Sequence, residues 1–172
     1  MNLPNFLTLL RVVLIPVLVL VWFIPSEYAG EISALVFLIA AATDWLDGWL
    51  ARRWQQESAF GAFLDPVADK LMVAAALVLL VDAFDSALVT LSAVVIIGRE
   101  IVVSALREWM SEIGQRAHVA VSWLGKVKTA AQMLAITVCL ALPVDQTLLH
   151  PGLWILVIAA LLTLWSMGTY LK

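Results

Sequence analysis

Four aspartates in the stretch DWLDGWLARRWQQESAFGAFLDPVAD (residues 44–69) carry the first chemical signal. Asp44 and Asp47 stand three residues apart, Asp65 and Asp69 four apart, and both pairs adjoin long apolar runs. On helices these spacings put each pair on roughly one face. An unpartnered carboxylate in an apolar medium is strongly disfavoured, so acids kept in such a setting read as functional. Two antiparallel helices joined by the polar link ARRWQQES (51–58) bring both pairs to one depth. There the four carboxylates repel one another unless positive charge sits among them. Hard oxygen donors on a rigid frame suit Mg²⁺ or Mn²⁺, which favour carboxylate, phosphate and water oxygens. No His or Cys lies near the motif to favour zinc. His118 and His150 fall in distant connections and read as solvent-facing, while Cys139, the only cysteine, lies in the apolar run AITVCLAL and reads as packing. Because Mg²⁺ is commonly completed by substrate phosphates, an acidic site beside lipid predicts a phosphate-bearing substrate with a lipid part.

The elements that must position these acids are apolar throughout. Of the 172 residues, 63% are hydrophobic and 13% charged, against about 45–50% and about 25% in soluble domains. The chain therefore reads as an integral membrane protein. With about 20 apolar residues needed per spanning helix, its length predicts an all-α fold of about six transmembrane helices in a single domain over 1–172. Candidate spans lie near residues 6–24, 31–50, 65–81, 87–107, 127–142 and 152–171. The N-terminal segment lacks a basic stretch ahead of its apolar run and a small-residue cleavage site, so it is expected to remain. Arg11 and Pro16 interrupt that run, which leaves open a short interfacial helix over residues 3–10.

In a six-span drawing all 10 Lys and Arg fall on one side, while Glu27, Glu31, Asp82, Asp85 and Asp145 fall on the other. The positive-inside rule then predicts cytoplasmic termini and places the aspartate pairs at the cytoplasmic edge. Trp22 and Trp154 fit the outer interface, and Trp54, Trp109 and Trp123 the inner one.

Glycine inside a helix costs about 1 kcal/mol against alanine, so Gly48 and Gly61 near the acids call for a reason. Close approach of a ligand is one reason, and helix packing through small residues is the other. Asp44, two residues, Asp47, Gly48, two residues, Ala51, Arg52, eight residues, Gly61, three residues, Asp65, three residues, Asp69 resembles the signature of the CDP-alcohol phosphotransferase family at every defined position. The segments NLPNFLTLLRVVLIPV, GREIVVSALREW and SWLGKVKT are similar to members of that family that use glycerol 3-phosphate as acceptor. The resemblance implies that Asp44, Asp47, Asp65 and Asp69 hold two divalent cations, Mg²⁺ or Mn²⁺, that grip the diphosphate of a CDP-linked donor. It also implies Asp69 as general base and Gly48, Ala51, Arg52 and Gly61 as the surface for the cytidine nucleotide. The reaction implied is transfer of the phosphatidyl group of CDP-diacylglycerol to glycerol 3-phosphate, by direct displacement of CMP, at the bacterial inner membrane. A homodimer and no nucleic-acid partner are expected. Serine, inositol or a lipid alcohol as acceptor is the nearest alternative.

An acceptor dianion needs inward-pointing cations. Arg99, deep in the fourth apolar run beside Glu100, is the foremost candidate, followed by Lys126 and Lys128 at the mouth of the fifth span and by Arg107, with Arg11 a further possibility. The plainer alternatives are an internal salt bridge for Arg99 and snorkelling to head groups for Lys128 and Arg107. A reading from another class is a small cation or proton transporter relaying ions through intramembrane acids. It is disfavoured because all four acids sit at one edge.

Overall fold

The computed structural model describes residues 3–54, 59–112, 123–144 and 149–170. Among them the chain forms six helices and no strand: α1 (Leu3–Trp22), α2 (Ala29–Trp54), α3 (Ala59–Phe84), α4 (Ala87–Glu112), α5 (Trp123–Ala141) and α6 (Pro151–Tyr170). Their order and spacing follow the six apolar runs expected from the sequence.

α1 packs against α2 and α3, α5 against α6 and α2, and α4 against α6 and α3. Small residues permit the closest approaches. A Cβ added to Gly30 of α2 would stand 2.6 Å from the Leu140 carbonyl oxygen of α5, and one on Gly152 of α6 would meet Cys139 Sγ at 2.5 Å. These glycines are packing contacts of the kind that lets membrane helices draw close.

Each buried stripe follows the helical period and changes character at one end. On α2, Ala34, Phe37 and Ala40 are buried and lead into Asp44. On α3, Ala76, Val73 and Met72 lead back to Asp69 and Asp65, and on α1 Leu18 leads back to Arg11 and Thr8. On α4, Val89, Ala93 and Ile96 run into Arg99 and Glu100, while on α5 Cys139, Ile136 and Ala135 run back to Gln132 and Lys128. The apolar stripes hold the bundle together, and their continuations carry the polar groups.

α1 is one continuous helix through Arg11 and Pro16. A separate interfacial helix over 3–10 does not form, because Thr8 and Arg11 turn inward, each 1% exposed, instead of lying along a surface. Pro66 likewise sits inside α3, beyond its first turn, where the helix runs on despite the missing N–H.

The α3–α4 connection is tight. Asp85 takes a positive φ of 40°, a conformation that aspartate tolerates better than most residues, and the Ser86 carbonyl accepts the Thr90 N–H at 2.9 Å. The entry to α6 departs from expectation. His150 is buried rather than solvent-facing: its Nδ1 accepts the Gly152 N–H at 3.2 Å, its Nε2 lies 3.4 Å from the Leu142 carbonyl oxygen, and its ring meets Phe84 edge-on at 4.9 Å. A proton on Nε2 satisfies both contacts, so His150 acts as an N-cap for α6. His118 lies outside the described residues.

Large apolar side chains face outward on all six helices, among them Leu20, Leu35, Val78, Val94, Leu134 and Leu161. By length and composition one helix among the described residues, Ala87–Met110, is long and apolar enough to cross a membrane; Phe6–Trp22, Lys128–Ala141 and Pro151–Met167 are shorter apolar stretches.

Candidate active site

Three helices meet at the signature aspartates. Arg11 Nη1 lies 3.1 Å from Asp44 Oδ1 and 3.2 Å from Asp69 Oδ1, so one nitrogen of α1 links a carboxylate of α2 to one of α3. One turn earlier on α1, Thr8 Oγ1 donates to Asp65 Oδ1 at 2.5 Å. The Arg11 side chain is 1% exposed while those of Asp44 and Asp69 are each 40% exposed. The cation thus lies beneath and the carboxylates open outward above it. The positive charge demanded by converging acids is therefore supplied in part by the protein itself.

Arg11 and Asp69 also border a cavity of about 10 Å³, closed in part by Phe37, Met72, Val73 and Met133. It has room for about one water molecule.

Among the described residues no three carboxylate, imidazole or thiolate side chains cluster closely enough to ring a metal ion. Asp47 completes the signature, but its side chain lies outside the described residues, as do those of Ala51 and Arg52, and with them Gly48. Gly61 is buried near the start of α3. The donor type that is described suits a divalent ion: hard carboxylate oxygens from two helices, those of Asp44 and Asp69 half-exposed.

A second polar cluster joins α4 to α5. Glu100 Oε1 accepts from Arg99 Nη1 at 2.7 Å and from Lys128 Nζ at 3.3 Å. Arg99 is 11% and Lys128 4% exposed at the side chain. Arg99 Nε is buried without a hydrogen-bond partner. Both cations are thus withdrawn from any surface, and Lys128 does not snorkel. The internal salt bridge weighed for Arg99 exists, and Lys128 shares the same carboxylate oxygen. Lys126 and Arg107 have side chains outside the described residues.

The two clusters share one end of the bundle. Met133 of α5 borders the same small cavity as Arg11 and Asp69. Lys128 lies five residues before it, about 7.5 Å along the helix axis.

Thr8 escaped sequence reasoning, as did the role of Arg11 beneath the acids. The available signal was their spacing: three residues apart on a mostly apolar helix, they share one face, as Asp44 and Asp47 do. Glu100 was noticed only as a neighbour of Arg99.

Comparison with known proteins places the chain in a family. A model of the CDP-alcohol phosphatidyltransferase family matches residues 1–165. The chain belongs to that family. It is 57% identical over 171 residues to the CDP-diacylglycerol--glycerol-3-phosphate 3-phosphatidyltransferase of Sodalis glossinidius, covering 99% of this chain and 93% of that protein. Proteins of the same name from Salmonella choleraesuis and Escherichia coli K12 are 56% and 54% identical over the same shares. The chain is thus an enzyme, a phosphatidyltransferase of phospholipid biosynthesis, in a family that generally depends on divalent cations. Membership sets aside the transporter reading.

Proposed function

We propose that this phosphatidyltransferase moves the phosphatidyl group of CDP-diacylglycerol to sn-glycerol 3-phosphate, giving phosphatidylglycerophosphate and CMP. The observation that carries the reading is identity of 54–57% over nearly the full chain to relatives that bear this activity in their names. The site geometry supports it: carboxylates for a cation-bound diphosphate and buried cations for an anionic acceptor share one end of the bundle.

In this reading Asp44, Asp47, Asp65 and Asp69 hold two divalent cations, Mg²⁺ or Mn²⁺. When bound, these ions neutralise the donor diphosphate and the charge that develops on departing CMP. Gly48, Ala51, Arg52 and Gly61 form the surface against the cytidine nucleotide. Arg99 and Lys128, with Lys126 and Arg107, hold the phosphate of the acceptor. Asp69 accepts the proton of the acceptor hydroxyl as its oxygen bonds to the phosphatidyl phosphorus and the bond to CMP breaks. The product keeps the phosphatidyl phosphate, CMP leaves with the electron pair of the broken bond, and no covalent enzyme intermediate is formed.

The outward apolar faces of all six helices support a multi-pass bilayer protein, a single domain over 1–172. The one-sided distribution of Lys and Arg supports cytoplasmic termini and a site facing the cytoplasm at the bacterial inner membrane. A homodimer, as the family resemblance implies, completes the proposal.

The test is to purify the protein in detergent, supply CDP-diacylglycerol with glycerol 3-phosphate, serine or inositol in turn, and follow CMP release with and without Mg²⁺. Release that requires the metal and is fastest with glycerol 3-phosphate is expected. Faster release with another acceptor would reassign the acceptor, and metal-independent release would overturn the chemistry.

A further inference from the structure

One turn of α1 touches three of the four signature aspartates, although α1 contributes nothing to the signature. We propose that Thr8 and Arg11 are positioning residues for the divalent-ion site: they fix the orientation of Asp65, Asp44 and Asp69 so that the outward carboxylate oxygens stand ready for ions. This rests on reading the aspartates as that site.

The geometry separates an inner from an outer side. Thr8 and Arg11 are each 1% exposed, and from this inner side Thr8 reaches Asp65 Oδ1 while Arg11 Nη1 reaches Oδ1 of both Asp44 and Asp69. A carboxylate has two oxygens and about four acceptor positions, so a bond to the inner oxygen holds the group without consuming its capacity to bind an ion. Carboxylates that ligate metals are themselves commonly hydrogen-bonded by such outer partners, which set their direction.

Stability alone is a poor reason for the arrangement. A buried ion pair is often no more stabilising than apolar side chains of equal volume, and α1 is a mostly apolar helix with Leu, Val and Ile at most positions. Pre-organisation is the better reason. Before any ion arrives, Asp44 and Asp69 repel one another, and the guanidinium beneath them holds both near a single point.

Arg11 brings an opposing effect, since its charge repels an incoming divalent ion. Thr8 carries no charge and isolates the orienting effect. The decisive pair is therefore Thr8→Val, which removes the hydroxyl while keeping the shape, and Thr8→Ser, which restores it.

The experiment is a Mn²⁺ titration followed by electron paramagnetic resonance, on the full chain in detergent, with melting curves as the check on folding. Wild type, Thr8→Val, Thr8→Ser, Arg11→Gln and Arg11→Lys are compared, with Asp65→Asn as reference. Mn²⁺ affinity is expected to fall about 10-fold in Thr8→Val and about 10- to 100-fold in Arg11→Gln, to return in Thr8→Ser, and to return in part in Arg11→Lys. Wild-type affinity in Thr8→Val and Arg11→Gln, with Asp65→Asn impaired, overturns the positioning role and leaves the ion site standing. Tighter binding in Arg11→Gln also overturns it, since repulsion would then outweigh orientation. Unchanged affinity in Asp65→Asn overturns the ion site itself.

Discussion

The two polar clusters at one end of the bundle are built with opposite signs. Around Arg11, one buried cation faces Asp44 and Asp69, with Asp65 held by Thr8 beside them. Around Glu100, one carboxylate faces two cations, the buried Lys128 and the largely covered Arg99. Among the described contacts the first sets two carboxylates on one cation and opens outward through half-exposed acids. Among the described contacts the second sets two cations on one carboxylate and includes a buried guanidinium nitrogen, Arg99 Nε, without a hydrogen-bond partner. Each uses a minority charge to hold the majority in place. The difference accords with the division of labour proposed above: the first cluster suits cations that carry a diphosphate, the second an anion delivered as acceptor.

That contrast can be broken from either side. The largest effect is expected from the acidic cluster: Asp69→Asn should lower CMP release about 10²- to 10⁴-fold, the range of a lost general base, while the variant still melts cooperatively in detergent. Near-normal turnover would remove Asp69 from the proton-transfer role.

The basic cluster should respond differently. Lys128→Ala or Arg99→Ala should raise the KM for glycerol 3-phosphate about 10- to 100-fold, as expected for a lost charge-assisted bond of about 1.5–3 kcal/mol, with the KM for CDP-diacylglycerol unchanged. Steady-state kinetics with each substrate varied in turn makes the distinction. An equal rise in both KM values would mean that the clusters do not divide the substrates.

Glu100→Gln sharpens the comparison, because it keeps the shape and removes the charge that Arg99 and Lys128 share. A several-fold change in the KM for glycerol 3-phosphate is expected, smaller than for loss of either cation. The smallest effect on catalysis is expected away from both clusters. Gly30→Ala, which would crowd the Leu140 carbonyl oxygen, should cost about 1–3 kcal/mol of stability through overpacking and lower the melting temperature. Both KM values should stay within twofold of wild type.

Much of the fold was legible because apolar runs and turn residues punctuate the chain plainly, and the six helices fall where those runs lie. The aspartates were legible because acids among apolar residues are conspicuous and their spacing is helical. Thr8 was not, since a threonine in an apolar helix commonly bonds its own backbone, as Thr137 and Thr163 do with Met133 and Ala159. Arg11 was visible as a charge, yet its partners lie 33 and 58 positions away along the chain, and only packing reveals them. His150 misled for a related reason: residues in connections are mostly exposed, but this one is drawn inward to cap α6 and meet Phe84.

The central claim is that the aspartates bring divalent ions to the donor diphosphate, and the most direct measurement is paramagnetic relaxation of the ³¹P signals of CDP-diacylglycerol by Mn²⁺ on the detergent-solubilised enzyme. The account predicts strong relaxation enhancement of both diphosphate phosphorus signals with wild type, lost with Asp44→Asn and with Asp65→Asn. Equal enhancement in those variants, or none with wild type, would contradict it.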